Sequence, residues 1–378
     1  MRIAGIICEY NPLHLGHKKQ IDFLHTQGYS VVCLMSGNFV QRGAPAIFNK
    51  MTRAKAAVDC GVDLVLELPI LYALSSAEGF AAGGVEILSR ICDCLCFGAE
   101  NADRAKLMQI AKALLSAEFS AHLRPHLDAG LSFPVARAKA LSQMDLDASL
   151  LGTPNNILGI EYCKAIWTQN SHMDILPIHR QGNYHASEAD AENPSATSLR
   201  NLIGNRENWQ GYVPESAIPI FEEASVHNLQ KAEPAILYRL RTMTDAEFEA
   251  LPYGSEGLWR KLMHASRECN TLDEIIAATK SKRYTRTRID RMILCAFLGL
   301  QEKDFKSSVP YCRVLGFNDT GRQILSKIKE SGFFVNIGED TRHPYQKTEQ
   351  RTTALYGLFN DPSEPPDAEE SYRVYYKK

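Results

Sequence analysis

Apolar residues along the first half of the chain fall in short runs that alternate with longer amphipathic stretches. The runs have the length of buried strands and lie at residues 3–8, 30–35, 62–68, 91–97 and 173–178. Apolar positions three and four residues apart predict helices between them, at 18–28, 51–61, 76–89 and 102–118. Because strands and helices alternate, this half predicts an α/β domain whose parallel sheet is covered on both faces.

From about residue 214 the pattern changes to that of helices. One apolar stripe has nearly ideal helical spacing, and its members are Ile289, Met292, Ile293, Ala296, Phe297 and Leu300. Residues 311–316 predict a short strand, and the polar stretch from 361 onward predicts an extended or poorly ordered tail. Since a single core stops growing at roughly 250–300 residues, the 378 residues predict two domains, an α/β domain at 1–210 and a mainly helical domain at 211–378.

Polar segments follow several of the predicted strands. They are the turn that carries His14 and His17, residues 36–43, residues 98–100 and residues 180–182. In a parallel sheet, ligands bind beyond the carboxyl ends of the strands. We therefore expect a ligand site at this edge.

The first of these turns contains H-x-G-H at the start of a helix. Gly16 lets a phosphate approach the backbone, the helix start offers free N–H groups, and two imidazoles can donate to phosphate oxygens as charge develops. The alternative is a pair of surface or capping histidines. A zinc site is disfavoured, because no third ligand lies near the histidines.

A second polar motif, S-x-T-x-x-R, occupies residues 195–200 ahead of an apolar continuation. Ser195, Thr197 and Ser198 can hold phosphate oxygens, and Arg200 can neutralise charge through two hydrogen bonds. Taken alone, the motif also fits simple helix capping. Its occurrence together with H-x-G-H favours the phosphate interpretation.

Charge and cysteine content narrow the class of protein. The formal net charge is −2, so no global attraction to nucleic acid is expected. Residues 280–291, however, carry six basic side chains against one acid, with Tyr284 among them as a stacking surface for bases. We predict that the ten cysteines are reduced thiols in a cytoplasmic protein with no membrane segment. The C-x-C-x-C at Cys92 lacks structural-zinc spacing, so no metal site is predicted.

These motifs together resemble the tRNA(Met) cytidine acetate ligase family, within the HIGH-motif nucleotidyltransferase superfamily. The resemblance extends over most of the chain and rests on residues 5–17 (GIICEYNPLHLGH), 35–43 (MSGNFVQRG), 61–69 (GVDLVLELP), 153–159 (TPNNILG), 195–200 (SATSLR) and 280–288 (KSKRYTRTR). It implies a Rossmann-like nucleotidyltransferase domain followed by a tRNA-binding domain. The implied enzyme activates acetate with ATP to acetyl-adenylate and then acetylates the exocyclic amino group of the wobble cytidine of elongator methionine tRNA.

The resemblance also implies site residues. His14, His17 and Arg200 are expected to act on the phosphates in catalysis. Mg²⁺ is expected with ATP, held mainly by phosphates and water. The expected ATP contacts are Ile7, Cys8, Glu9, Tyr10, Asn11, Pro12, Leu13, His14, Leu15, Gly16, His17, Lys18, Lys19, Gln20, Gly98, Asn155, Arg180, Ser195, Thr197 and Ser198.

The basic segment is the expected grip on the tRNA backbone, through Lys280, Lys282, Arg283, Arg286, Arg288 and Arg291. For Lys50 and Arg53 two interpretations are equally favoured, pyrophosphate contacts or solvated charges on a helix face. Two other functions stay open: a nucleotidyltransferase that adenylylates a small phosphorylated metabolite, and a non-catalytic tRNA-binding protein. The oligomeric state also stays open, including a homo-oligomer.

Overall fold

The computed structural model describes residues 1–180, 195–281 and 283–378. Its strands are β1 (Arg2–Cys8), β2 (Tyr29–Ser36), β3 (Phe39–Val40), β4 (Ala44–Pro45), β5 (Leu64–Leu68), β6 (Cys94–Ala99), β7 (Asp174–His179), β8 (Cys312–Phe317), β9 (Phe334–Asn336) and β10 (Tyr375–Tyr376). The five strands predicted in the first half are confirmed as β1, β2, β5, β6 and β7, and the strand predicted at 311–316 is confirmed as β8.

The helices cover most of the remaining chain. They are α1 (Leu15–Thr26), α2 (Lys50–Asp59), α3 (Ile70–Ala73), α4 (Ala77–Leu88), α5 (Arg104–Leu114), α6 (Ala117–Asp128), α7 (Phe133–Ser142), α8 (Pro154–Thr168), α9 (Ala196–Gly204), α10 (Ile218–Glu222), α11 (Leu229–Thr242), α12 (Asp245–Glu249), α13 (Leu258–Glu268), α14 (Leu272–Thr279), α15 (Arg286–Leu298), α16 (Asp319–Ile328), α17 (Pro344–Tyr356) and α18 (Ala368–Ser371). The single helix predicted at 102–118 is wrong in extent. Ser116 begins a new helix there, because its hydroxyl accepts a hydrogen bond from the Phe119 N–H at 3.0 Å.

The chain packs as two compact units. The first comprises residues 1–7 and 77–182, and the second comprises residues 8–76 and 183–378. The predicted domain boundary at residue 210 coincides with neither limit and stays a prediction. None of the helices in the described ranges combines the length and the hydrophobicity that crossing a bilayer requires.

In the first unit, β6 pairs in parallel with β1 on one side and with β7 on the other. Helices α4 and α5 both pack on α8. Glycine is required where α8 meets the sheet, because a Cβ atom on Gly159 would lie 2.6 Å from the ring of Phe97. The close approach keeps the start of α8 beside the end of β6.

In the second unit, β2 and β5 are parallel, as predicted. The strand predicted at 311–316, β8, joins β5 in the antiparallel sense. Strands β9 and β10 both pair in parallel with β8. Helices α11, α13, α14, α15 and α17 contribute to a separate apolar core that includes the whole predicted stripe from Ile289 to Leu300.

The C-terminal tail is ordered, so the prediction of an extended or poorly ordered end is wrong. Tyr375 and Tyr376 add a strand to β8. Glu369 is buried, and its carboxylate pairs with Lys50 at 2.7 Å and with Arg313. Most polar residues of the tail are exposed, and Glu369 is the one among them that brings charge to a buried cluster.

Candidate functional site

The H-x-G-H turn begins where β1 ends and closes with the first turn of α1. His14 is the N-cap residue, and its Nδ1 accepts a hydrogen bond from the Gly16 N–H at 3.1 Å. The Nδ1 of His17 accepts in return from the His14 N–H at 3.2 Å. The two rings are stacked with centroids 3.7 Å apart. Since both Nδ1 atoms act as acceptors, Nε2 carries the proton in each neutral ring and is the nitrogen that can donate to a phosphate.

The backbone before the histidines is held in an unusual conformation. Tyr10 has φ of 42°, in the left-handed region that non-glycine residues rarely adopt. Its side chain is buried, with the hydroxyl 3.2 Å from the Cys33 sulfur. Asn11 is also buried, and its Oδ1 accepts from the Ile47 N–H at 2.8 Å. Strained residues of this kind concentrate where a site needs a fixed geometry.

The S-x-T-x-x-R motif forms the start of α9, as predicted. The Ser195 hydroxyl accepts from the Ser198 N–H at 3.0 Å, so helix capping, the alternative that the sequence left open, is one of its roles. Arg200 donates from Nη1 to the carbonyl of Asn11 at 2.7 Å and from Nη2 to the Thr197 hydroxyl at 3.0 Å. Within the second unit, Arg200 therefore joins the two motifs that the sequence singled out.

Six of the fourteen residues from 7 to 20 are buried, and seven are half-buried. Cys8, Tyr10, Asn11, Pro12, Leu13 and His14 are buried, whereas Lys19 is exposed. Lys18 pairs with Asp22 one turn along α1. The His17 ring is half-buried and so is more accessible to a ligand than the buried His14 ring.

The first unit contains the other residues predicted to bind ATP. Gly98 lies at the end of β6, where a Cβ atom would come within 3.8 Å of the Arg180 side chain. Arg180 follows β7, and its N–H donates to the carbonyl of Ala99 at 2.9 Å. Asn155 lies in the first turn of α8, and its side chain donates to Glu100 at 2.8 Å.

Glu100 has a role that we did not assign from sequence, although it lies in a predicted strand-end segment. Its carboxylate also accepts from the Asn156 N–H at 2.9 Å and so caps α8. Burial raises the pKa of this carboxyl, but the hydrogen bonds outweigh that effect and lower it overall. Glu100 thus stays ionised and fixes the orientation of the Asn155 amide.

Lys50 and Arg53 are both buried, so the interpretation as solvated charges on a helix face is wrong. The ammonium of Lys50 lies 2.7 Å from carboxylate oxygens of both Glu67 and Glu369. Arg53 donates to backbone carbonyls, among them that of Glu9 at 2.6 Å. Both cations are already engaged inside the protein, and neither is exposed for pyrophosphate.

The basic segment lies partly before α15 and partly in its first turns. Lys282 falls outside the described residues. Arg283 pairs with Glu256 at 3.0 Å and Arg286 with Asp273 at 3.4 Å, all with exposed side chains, whereas Arg288 donates to the Tyr253 carbonyl at 2.9 Å. Lys280 is exposed just after α14.

Two members of the segment are more enclosed than the sequence suggested. Tyr284 is only 9% exposed, and its hydroxyl donates to the Glu256 carbonyl at 2.6 Å, so the prediction that it stacks on bases is wrong. Arg291 is 8% exposed and donates to the Gln41 carbonyl at 3.2 Å. Its predicted contact with RNA stays a prediction.

The chain is similar in sequence to a nucleotidyl transferase family and to named tRNA(Met) cytidine acetate ligases. A family model described as HIGH Nucleotidyl Transferase matches residues 1–371. The tRNA(Met) cytidine acetate ligase of Clostridium novyi is 40% identical over 95% of this chain and 96% of its own length. The enzyme of the same name from Caldanaerobacter subterraneus is 41% identical over 87% of this chain and 86% of its own.

Two crystal structures of Thermotoga maritima TmcAL have the same fold. The apo protein (form I) aligns with a TM-score of 0.91 at 27% identity, and the protein bound with alpha-thio ATP (form II) aligns with 0.88 at 28%. Each alignment covers 100% of this chain and 99% of the other. This chain therefore belongs to the HIGH nucleotidyl transferase family and, within it, to the tRNA(Met) cytidine acetate ligase family.

Proposed function

We propose that this chain is an ATP-dependent ligase that acetylates the wobble cytidine of elongator methionine tRNA. In the first step an acetate oxygen attacks the α-phosphorus of ATP, which gives acetyl-adenylate and releases pyrophosphate. In the second step the exocyclic amino group of the cytidine attacks the acetyl carbonyl and loses a proton, and AMP leaves. The observation that carries the proposal is the bond from Arg200 to the Asn11 carbonyl, which ties S-x-T-x-x-R to the H-x-G-H turn.

The residue types suit the first step. Acetate already bears its nucleophilic oxygen, so the reaction needs positioning and charge stabilisation more than an activated side chain. We assign the Nε2–H groups of His14 and His17 to the phosphates, because their Nδ1 atoms are occupied by the helix cap. The His17 ring is half-buried, and the His14 ring is buried. Arg200, held on the same turn, stabilises the charge that develops at the α-phosphate.

The ATP contacts follow from the motifs. We assign the residues 7–20 to the phosphates and ribose, with Ser195, Thr197 and Ser198 supporting the phosphates from α9. Gly98, Asn155 and Arg180, in the first unit, are assigned to the nucleotide as well. Among the described residues, no group of three or more His, Cys, Asp or Glu side chains is arranged to hold a metal. We assign Mg²⁺ mainly to the ATP phosphates and water, the ligands that it usually keeps in nucleotide sites.

The tRNA is assigned to the basic segment of the second unit. Arg283 and Arg286 are more than half exposed, and their pairs with the exposed acids Glu256 and Asp273 can be replaced by phosphates at little cost. Arg286 also pairs with the more enclosed Asp290 at 3.6 Å. The proposed contacts are Lys280, Lys282, Arg283, Arg286, Arg288 and Arg291. Because its proposed substrate is a tRNA, we place the enzyme in the cytoplasm.

The test is transfer of radiolabelled acetate to purified tRNA in the presence of ATP, with a panel of isoacceptors. We expect label only in elongator methionine tRNA, in a nuclease fragment that contains the wobble cytidine. Consumption of ATP without acetate, stimulated by a phosphorylated metabolite, would favour the alternative nucleotidyltransferase. Binding of tRNA with no ATP turnover would favour the non-catalytic alternative.

A further inference from the structure

Arg53 is a buried cation whose hydrogen bonds all go to the backbone. Its side chain is 0% exposed. Nε donates to the Phe48 carbonyl at 2.9 Å, Nη1 to the carbonyls of Glu9 at 2.6 Å and Ser36 at 3.1 Å, and Nη2 to that of Gly37. In the described part of the chain, no carboxylate lies within ion-pair distance of it.

The acceptors of Arg53 belong to three separate turns of the second unit. Glu9 follows β1, Ser36 ends β2 and Gly37 follows it, and Phe48 lies two residues before α2. One planar guanidinium therefore ties together two strand ends and the loop before its own helix. A lysine ammonium at this position could not satisfy the same fork of acceptors, because its donors radiate from a single atom.

One of these turns leads directly into the H-x-G-H motif. Glu9 precedes Tyr10, whose φ of 42° needs support from its surroundings. The next residue, Asn11, accepts from Ile47 N–H through its side chain and from Arg200 through its carbonyl. The turn is thus held by hydrogen bonds from Arg53, Ile47 and Arg200.

Packing alone does not account for an arginine at this position. Burying a charge without a counter-charge costs free energy, which carbonyl dipoles offset only in part. Burial accordingly lowers the pKa of the Arg53 guanidinium. An apolar side chain of similar size would fill the volume without that cost. The guanidinium adds directed hydrogen bonds and a positive charge next to the turn.

Lys50, one turn earlier on α2, shows the contrast. It is equally enclosed, at 1% exposed, but Glu67 and Glu369 neutralise it. Its partners join β5 and the C-terminal helix α18, and none of them belongs to the H-x-G-H turn. Substituting the two cations one at a time therefore distinguishes a positioning role, at Arg53, from a purely structural role, at Lys50.

We infer that Arg53 is a positioning residue for the nucleotide-binding turn, one that fixes the Glu9 carbonyl and so the orientation of Asn11 toward Arg200 and the two histidines. The inference rests on the proposed function, since it assumes that this turn meets the ATP phosphates. The charge of Arg53 adds to the attraction for those phosphates.

The test compares Arg53→Lys and Arg53→Met with Lys50→Met in acetate-dependent exchange of pyrophosphate into ATP. Each variant is assayed well below its own melting temperature, so that loss of folded protein does not enter the rate. We expect both Arg53 variants to lose about 100-fold in kcat, a loss of the size that follows removal of one preorganised donor. Only Arg53→Met, which removes the charge, should also bind ATP more weakly than the wild type does, while its affinity for adenosine falls less. Lys50→Met should melt at a lower temperature and keep kcat within about threefold.

Two results would overturn the inference. One is an Arg53→Lys enzyme with wild-type kcat, and the other is an equal loss of kcat in Lys50→Met at matched stability. If Arg53→Met does not fold, Arg53→Lys and the effect of added guanidinium ion on Arg53→Ala decide the question. Restoration of exchange by guanidinium but not by ammonium supports positioning, and no restoration argues against it. Absence of acetate-dependent exchange in the wild-type protein would instead refute the proposed function, and the ATP and adenosine affinities would still test Arg53.

Discussion

The H-x-G-H turn and the basic segment use positive charge in opposite ways. At the turn, Arg53 and Arg200 donate to backbone carbonyls of neighbouring segments, so each charge is fixed in position. In the basic segment, Arg283 and Arg286 pair with exposed carboxylates, interactions that contribute only about 0–1 kcal/mol each. The first region is therefore organised before a ligand arrives, whereas the second can exchange its carboxylate partners for phosphates.

The strongest test of the preorganised region is to remove the His17 imidazole while keeping the helix cap. His17→Gln retains an acceptor at the third helical position, as in a capping box, whereas His17→Ala loses both functions. We expect both variants to lose about 100- to 1000-fold in the rate of acetyl-adenylate formation. His17→Gln should keep the wild-type melting temperature. Acetate-dependent pyrophosphate exchange and thermal denaturation measure the two effects.

A matched control lies on the same helix. His25 is exposed near the end of α1 and contacts the Gly61 carbonyl at 2.7 Å. His25→Ala should leave the exchange rate near that of the wild type. A His17→Gln enzyme with wild-type exchange would show that the imidazole takes no part in catalysis and that its only role is the cap.

The next largest effect is expected at the link between the two motifs. Arg200→Ala removes the bonds to Asn11 and Thr197, so acetate activation should fall by about 10- to 100-fold, with weaker ATP binding. Arg206→Ala, at an exposed arginine just beyond the same helix, is the matched control. Unchanged ATP affinity and turnover in Arg200→Ala would show that α9 is not part of the ATP site.

The exchangeable region is tested by replacing Lys282, Arg283, Arg286 and Arg288 together with Ala. We expect acetate activation near the wild-type rate and about 10- to 100-fold weaker tRNA binding. The slope of log affinity against log salt should become shallower by up to about 3, because each lost phosphate contact removes counterion release. Filter binding across a salt series measures this slope.

Three exposed basic residues in and just after α16 provide the comparison variant, with Arg322, Lys327 and Lys329 replaced by Ala. That variant should retain the wild-type slope. An unchanged slope in the four-residue variant would place the tRNA on another surface. Loss of acetate activation by a folded four-residue variant would show that the segment also serves the ATP site.

The smallest effect concerns the buried charges around Lys50. Burial raises the pKa of Glu67 to about 7, although Lys50 works to lower it. In the same cluster, burial also acts to raise the pKa of Glu369, but Lys50 and Arg313 outweigh it and lower the value. Since folded Glu67 holds its proton more tightly than unfolded glutamate does, its contribution to stability is present at low pH and is lost as pH rises toward 7.

Glu67→Gln should remove this dependence. Between pH 5 and pH 7 the free energy of unfolding of the wild type should fall by about 1–2 kcal/mol relative to that of Glu67→Gln. Urea denaturation at several pH values measures the difference. Parallel pH profiles for the two proteins would mean that Glu67 is ionised throughout this range.

Several features of the molecule follow from the sequence alone. The apolar runs identify β1, β2, β5, β6 and β7 because a buried strand needs consecutive apolar residues whatever its neighbours are. The H-x-G-H and S-x-T-x-x-R motifs could be found because they combine local chemistry with the start of a helix. The α15 stripe was likewise determined by spacing within one segment.

Other features depend on partners far away in the chain, and only the tertiary structure decided them. The sequence does not show that Glu369 meets Lys50, that β8 joins β5 in the antiparallel sense, or that Tyr284 is enclosed. Periodicity reports which face of an element is apolar, not what covers a charged residue. Arg53 is the clearest case, because its four acceptors are backbone carbonyls, which every residue possesses and no sequence pattern marks.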